Sequence, residues 1–290
     1  MAIFNLGSIN IDLVYTVSHF PAAGETLTAS SFMQALGGKG ANQSIAVAAA
    51  GAKICHIGAA NPNDGWLFTT MAQYGVDMTF VQESQLPTGH AIVTVNEEGE
   101  NQILLHPGAN RAIDINQALS ALNGAEPVDW VLLQNETNGT LEFAKAAKAR
   151  GLKVAYSAAP FEAHVALALL PHCDLLIINE GEAAALAAAS GKKPEELDLA
   201  HLVITRGSAG AFYFGLEGQA HQPAFTIEPV DTTGAGDCFF GYFLAGIAAG
   251  ERVKTTLRLA SAAAAMQVTK AGAATATPLR ANVLAFAETH

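Results

Sequence analysis

Hydrophobic and polar positions along the chain fall into a repeating order of short apolar run, turn, then longer small-residue stretch. Ala2–Gly7 reads as a buried strand ending in a Gly-Ser turn. Asn42–Ala50 reads as a helix closed by Gly51, Ile54–Gly58 as a strand, and Gly65–Tyr74 as a helix closed by Gly75. Trp130–Leu133, Lys153–Tyr156, Leu175–Ile178 and Leu202–Thr205 are further apolar runs, with helical stretches such as Leu141–Arg150 and Gly181–Ala189 between some of them. Apolar strands separated by helices predict a mostly parallel sheet covered on both faces, an α/β fold.

Two regions break this rhythm. Asp12–Val17 and Thr26–Gln34 are strand-like with no helix between them, and so are His90–Asn96 and Asn101–His106, joined by Glu97-Glu98-Gly99-Glu100. The second pair carries a hairpin signal. Together they predict a small antiparallel sheet, at about residues 12–36 and 90–107, projecting from one domain that spans 1–290. Such a sheet must cover its apolar face, as a lid on a site, against another subunit, or both.

Composition narrows the function. Half of the 290 residues are hydrophobic and 14% are charged, which excludes disorder. The net charge of −11 disfavours nucleic acid as a partner, so an anionic ligand must be held locally by amides or a metal. Cys55, Cys173 and Cys238 are widely spaced and odd in number, which suits a reducing cytoplasm. The N-terminal MAIFNLGSINIDLVY has neither a basic region nor an unbroken apolar core, so no signal peptide is expected. The alanine-rich runs are too short to span a bilayer, so no membrane partner is expected.

Two glycine-rich segments carry the candidate chemistry. Asp231-Thr232-Thr233-Gly234-Ala235-Gly236-Asp237 leads into an apolar helix over Cys238–Ala249, in which Gly241 and Gly246 allow close packing. A helix opened by such a loop aims free amides and its positive dipole end at one point, an anion hole. Asp237 reads either as an N-cap or as a base that takes a proton from an attacking hydroxyl. Gly37-Gly38-Lys39-Gly40-Ala41-Asn42 reads either as a turn with an Asn cap or as a loop approaching a polyol. It is not a Walker A loop, and no G-x-G-x-x-G follows the first strand, which counts against a dinucleotide fold. Asn10 and Asp12, just past that strand, share one side of an extended segment and suit either an Asx turn or a polyol grip. Asn179-Glu180-Gly181-Glu182 suits Mg²⁺-ordered water or simple dipole complementarity. Thr205-Arg206-Gly207-Ser208-Ala209-Gly210 suits a nucleotide border or a β-turn, and Glu136 is another carboxylate at a strand end.

In these motifs the chain resembles the ribokinase family, the PfkB carbohydrate kinases. Gly37–Asn42 looks like the family's N-terminal signature, Asp231–Asp237 like its C-terminal one, and Asn179–Glu182 like its N-x-x-E motif. The matches run nearly the whole chain in family order, and the N-terminal half looks most like the ribokinases proper. The resemblance implies a three-layer α/β sandwich with a small β-sheet lid. It implies an ATP-dependent kinase acting on a primary hydroxyl of a small sugar, D-ribose first, with a nucleoside or another furanose or ketose as the alternative. A non-catalytic sugar- or nucleotide-binding relative is a second alternative, disfavoured by Asp237 and its intact glycine loop. Carried over by motif, Asp237 would be the base, the amides of Ala235, Gly236 and Asp237 would stabilise charge on the transferred phosphoryl, and Gly234 would belong to the same catalytic loop. Asn10, Asp12, Gly38, Lys39, Asn42 and Glu136 would line the sugar site. Asn179, Glu182, Thr205, Gly207, Ser208, Gly210 and Gly236 would serve ATP and Mg²⁺. Asp231, Thr233 and Gly272 would hold a monovalent cation such as K⁺. Departures from the family pattern include Ser261 where a His is usual near the adenine, Ala276 where a Ser is usual at the cation site, and Phe239 and Phe240 after the base. A homodimer through the lids is expected, because four short strands cannot bury both faces of a sheet.

Overall fold

The computed structural model describes residues 1–290. In chain order its elements begin with β1 (Ile3–Leu6), β2 (Asn10–Thr16), β3 (Ser31–Gly37), α1 (Lys39–Ala49), β4 (Ile54–Ala60), α2 (Gly65–Gln73) and β5 (Asp77–Glu83). There follow β6 (Gly89–Val95), β7 (Asn101–His106), α3 (Ile115–Ser120), β8 (Trp130–Leu133), α4 (Thr140–Ala149), β9 (Lys153–Ser157) and α5 (Ala163–Leu169). The last are β10 (Leu175–Asn179), α6 (Glu180–Ser190), β11 (His201–Thr205), β12 (Ala211–Gly215), β13 (Gly218–Gln222), α7 (Ala235–Ala248), α8 (Val253–Gln267) and α9 (Arg280–Thr289). No helix is long and apolar enough to cross a membrane.

Nine strands form one sheet in the order β13-β12-β11-β10-β9-β8-β1-β4-β5. All its pairs are parallel except β11 with β12 and β12 with β13. That antiparallel edge was not foreseen from the sequence. One face packs against α1, α7 and α8 through Ile45, Phe240, Phe243 and Leu257. The other packs through Phe143, Tyr156, Leu169 and Leu186, from the sheet and α4 to α6. The result is the expected three-layer sandwich. Helix α7 lies close on α1 because Gly241 has no side chain: a Cβ there would stand 2.4 Å from Ala46 Cβ.

The small sheet has the order β3-β2-β6-β7. Its two hairpins are antiparallel, but β2 and β6 pair in parallel, from Asn10 with Gly89 to Thr16 with Val95. This corrects the expectation of an antiparallel sheet throughout. The reason lies in the large sheet: β2 continues from β1 and β6 follows β5, and these run in the same direction. Residues 26–30 are loop, and β3 begins at Ser31, where its pairing with Thr16 of β2 begins.

The break in strand order that positions ligands falls at β1. The chain moves from β1 to β4 on one side and later returns to β8 on the other. Open α/β sheets bind ligands beyond the carboxyl ends of strands at such a switch point.

Candidate functional site

Ser8 follows β1 and Glu136 follows β8, so the switch point brings them together. Ser8 Oγ donates to Glu136 Oε2, and the Lys39 amide donates to the same oxygen at 2.9 Å. Burial pushes the Glu136 carboxyl up, while the Ser8 hydroxyl and the Lys39 cation pull it back. Asn10 is almost wholly buried, and its Oδ1 accepts from Asn110 Nδ2 at 2.7 Å. Asn110 also clamps the backbone of Ile9 in both directions. Two residues on, Asp12 lies over Gly37 of β3, where a Cβ would come within 2.1 Å of its carboxylate. Burial first, and Glu136 second, push the Asp12 carboxyl up to about 6. Ala91 and Leu105 share a register row with Asp12, whereas His90 pairs with Ile11 on the row facing away.

Asp237 stands on the far side of Lys39, whose ammonium faces both it and Glu136. It lies in the first turn of α7, whose N-cap is Gly234, with a left-handed φ of 73° and no side-chain cap. Asn42 lies inside α1, whose N-cap is Gly38. The cap readings of Asp237 and Asn42 therefore both fail. Instead the two meet: Asn42 Nδ2 donates to Asp237 Oδ2 at 3.0 Å, and Gln43 Nε2 donates to Oδ1 at 2.8 Å. With no side chain capping α7, the amides of its first turn are left for an anion. One correction applies: the Ala235 amide donates to the Thr232 carbonyl at 3.3 Å, so the amides left free in this turn are those of Gly236 and Asp237.

Beside Asp237 is a cavity of about 140 Å³ lined by Lys39, Asn179, Glu182, Thr205, Gly234, Gly236 and Phe240. The Asp237 carboxylate, together with Glu136 and Glu182, holds the Lys39 ammonium charged against the cost of burial. Asn179 and Glu182 form a reciprocal capping box on α6, each bond 2.9 Å. Burial pushes the Glu182 carboxyl up, and the Asn179 amide and Lys39 pull it back. The box settles the local fold, yet both side chains still line the cavity.

Thr205 and Gly236 also border a larger cleft of about 650 Å³. Gly207, Ser208 and Gly210 form one wall, and Phe225, Ile227, Phe239, Ser261 and Val268 give it a largely apolar lining. Such a slot suits a planar base, and Thr205 and Gly236 join it to the amide-lined turn of α7. Asp231, Thr233 and Gly272 are also brought together, just outside both cavities. Asp231 accepts from the amides of Thr233 and Gly272, both at 2.9 Å. Burial opposes the charge of Asp231, but these bonds prevail and hold its carboxyl below the usual carboxylate range.

Sequence reasoning missed Ser8, Gln43, Asn110 and Gln134. A usable signal existed: Asn5, His56 and Gln134 are polar residues within or next to wholly apolar runs, where burial demands a partner.

Buried carboxylates beside a small β-sheet, a helix N-terminus that carries free amides and a carboxylate, and an adjoining largely apolar cleft fit a kinase of the three-layer α/β type. The chain matches the model of the pfkB family carbohydrate kinases over residues 2–280 and belongs to that family. It is 33% identical to ribokinase of Haemophilus influenzae, over 98% of this chain and 97% of that one. Ribokinase of Thermotoga maritima superposes with a TM-score of 0.87 at 30% identity, covering 99% of each chain. Ribokinase of Arabidopsis thaliana, solved with ribose and ATP, superposes with a TM-score of 0.84 at 28% identity, covering 99% of this chain and 98% of that one.

Proposed function

We propose that this carbohydrate kinase transfers the γ-phosphoryl group of Mg-ATP to the primary hydroxyl of D-ribose, giving ribose 5-phosphate. The observation that carries the reading is the position of Asp237. Its carboxylate meets Asn42 and Gln43 and lines the cavity that shares Thr205 and Gly236 with the base-sized cleft. Asn10, Asp12, Gly38, Lys39, Asn42 and Glu136 hold the sugar. Asn42 Oδ1 is buried without a partner, which suits acceptance of a sugar hydroxyl. Asp237 takes the proton of the attacking hydroxyl, and the amides of Gly236 and Asp237 hold the charge that grows on the transferred group.

ATP lies in the larger cleft against Thr205, Gly207, Ser208 and Gly210. Mg²⁺ keeps most of its waters and needs few protein carboxylates, which fits Glu182 and Asn179 beside Lys39. When bound, it neutralises phosphate charge. Asp231, with Thr233 and Gly272, anchors a monovalent cation such as K⁺ next to the loop of the anion hole. The lid supports a homodimer: Phe32, Met33, Ile103, Leu104 and Leu105 are exposed on it, and a second copy covers them. Three free cysteines fit a cytoplasmic setting.

The test is a panel of D-ribose, 2-deoxy-D-ribose, hexoses and nucleosides with Mg-ATP, followed by ADP release. D-Ribose is expected to give the highest kcat/KM. A nucleoside or hexose that outpaces it would replace the substrate, and binding without turnover of any acceptor would leave a non-catalytic relative.

A further inference from the structure

We propose that a buried chain of three amides, Asn5, Gln134 and Gln43, fixes Asp237 in its catalytic orientation, so that Gln43 and Gln134 are positioning residues for the transfer. The inference rests on the reading of Asp237 as the base.

The chain has one direction, set by a backbone carbonyl that can only accept. Asn5 Nδ2 donates to the Gly40 carbonyl at 2.8 Å and to Ser44 Oγ at 2.8 Å, which uses both of its hydrogens. Asn5 Oδ1 must therefore face the other way, where it accepts from Gln134 Nε2 at 3.0 Å. The second hydrogen of Gln134 Nε2 goes to Gln43 Oε1 at 2.7 Å. With its oxygen so engaged, Gln43 can present only its NH₂ to Asp237 Oδ1, at 2.8 Å. An amide side chain alone could turn either end to a carboxylate, and here the neighbours decide which.

The far end is equally determined. Ser44 Oγ, having accepted from Asn5, has its own hydrogen for His56 Nδ1 at 2.8 Å. His56 Nε2 then donates to the Gly7 carbonyl at 3.2 Å. Burial drives the His56 imidazole down to about 4, so it stays neutral and keeps this one tautomer. Two carbonyls, of Gly7 and Gly40, thus set every donor between β4 and the base. Gln134 Oε1 is left buried without a partner, an arrangement that is retained at a cost. Gly7 accommodates it: a Cβ there would meet Gly40 Cα at 2.6 Å and Gln134 Oε1 at 2.9 Å. Asn5, Gln43, Gln134 and His56 are each at least 99% buried, so each link is shielded from bulk solvent.

The discriminating variant is Gln134→Glu, which does not touch Asp237. Its carboxylate would offer only acceptors to Asn5 Oδ1 and Gln43 Oε1, forcing Gln43 to turn its oxygen toward Asp237. Facing an acceptor, the ionised base is disfavoured. The acidic limb of the kcat profile is expected to move up by about one pH unit, so that kcat falls about 10-fold on the acid side of the parent's limb and recovers on the alkaline plateau. Gln134→Met deletes the link without inverting it and should lower kcat about 3-fold with no movement of the limb. KM for sugar and for ATP should stay within about 3-fold in both, since neither ligand meets residue 134. Lys39, Glu136 and Glu182 also face Asp237 and are unchanged in both variants.

If Gln134→Glu does not fold, Gln43→Met carries the test: kcat should fall at least about 10-fold with the acidic limb moved up and both KM values kept within about 3-fold. In Gln134→Glu or Gln43→Met, a rate loss equal at every pH, or one shared by both KM values, would reduce the amides to packing and overturn the proposal. Asp237→Asn, run in parallel, separates the two readings. If it retains near-normal turnover, the base assignment itself is wrong; if it is inactive while Gln134→Glu and Gln134→Met behave alike, only the oriented chain is wrong.

Discussion

Asp12 gives the sharpest energetic test, because the carboxylate proposed to bind the sugar is poorly placed for an ionised group in the empty protein. Moving a carboxyl from 3.8 to about 6 corresponds to about 3 kcal/mol between its charged and neutral forms. The causes are burial and the neighbouring Glu136. The sign follows from linkage. A folded carboxyl at about 6 binds its proton more tightly than an unfolded one at 3.8, so this residue's contribution to stability falls as pH rises from about 4 to about 6. Asp12→Asn removes the ionisation and keeps the shape. At pH 7.5 and without sugar, the variant should be more stable than the parent by about 2–3 kcal/mol, and the gain should vanish below about pH 4. Urea unfolding of both proteins from pH 4 to pH 8 measures this directly. The same variant should raise the sugar KM at least about 10-fold while the ATP KM moves little, because hydroxyls bond a carboxylate more strongly than an amide. In the parent, the sugar KM should rise as pH falls below about 6. Equal stability of the two proteins at pH 7.5, or a gain that does not depend on pH, would refute this account of Asp12.

Two further outcomes are expected. Replacing Na⁺ by K⁺ should raise kcat of the parent, and Asp231→Ala should abolish that response, because it removes the carboxylate that gathers the Thr233 and Gly272 amides; a parent indifferent to the cation would end the proposal of a cation site. Light scattering at micromolar concentration should give twice the 30.0 kDa chain mass, and Ile103→Lys on the lid should halve it; a fully active parent of monomer mass would leave the lid as a simple cover.

The class of fold and the identity of most candidate residues are legible in the amino-acid order because they rest on local physics. Short apolar runs such as Trp130–Leu133 read as buried strands because they are too short for a helix, and their alternation with helices predicts a mostly parallel sheet. The two glycine-rich loops announce helix N-termini, since few other sequences leave the backbone so bare. What the order of residues could not carry was pairing across distance. The parallel contact of β2 with β6 depends on β1 and β5 running the same way in another sheet. Asp237 and Asn42 each read locally as a cap, and only the closeness of α7 to α1, with Gly241 against Ala46, turns them into partners. Gln43, Gln134 and Asn5 lie up to 129 positions apart, and no local pattern marks them as a set. Propensity and periodicity are properties of neighbours in the chain. The direction of a hydrogen bond between buried amides is a property of neighbours in space, and only the folded structure decides it.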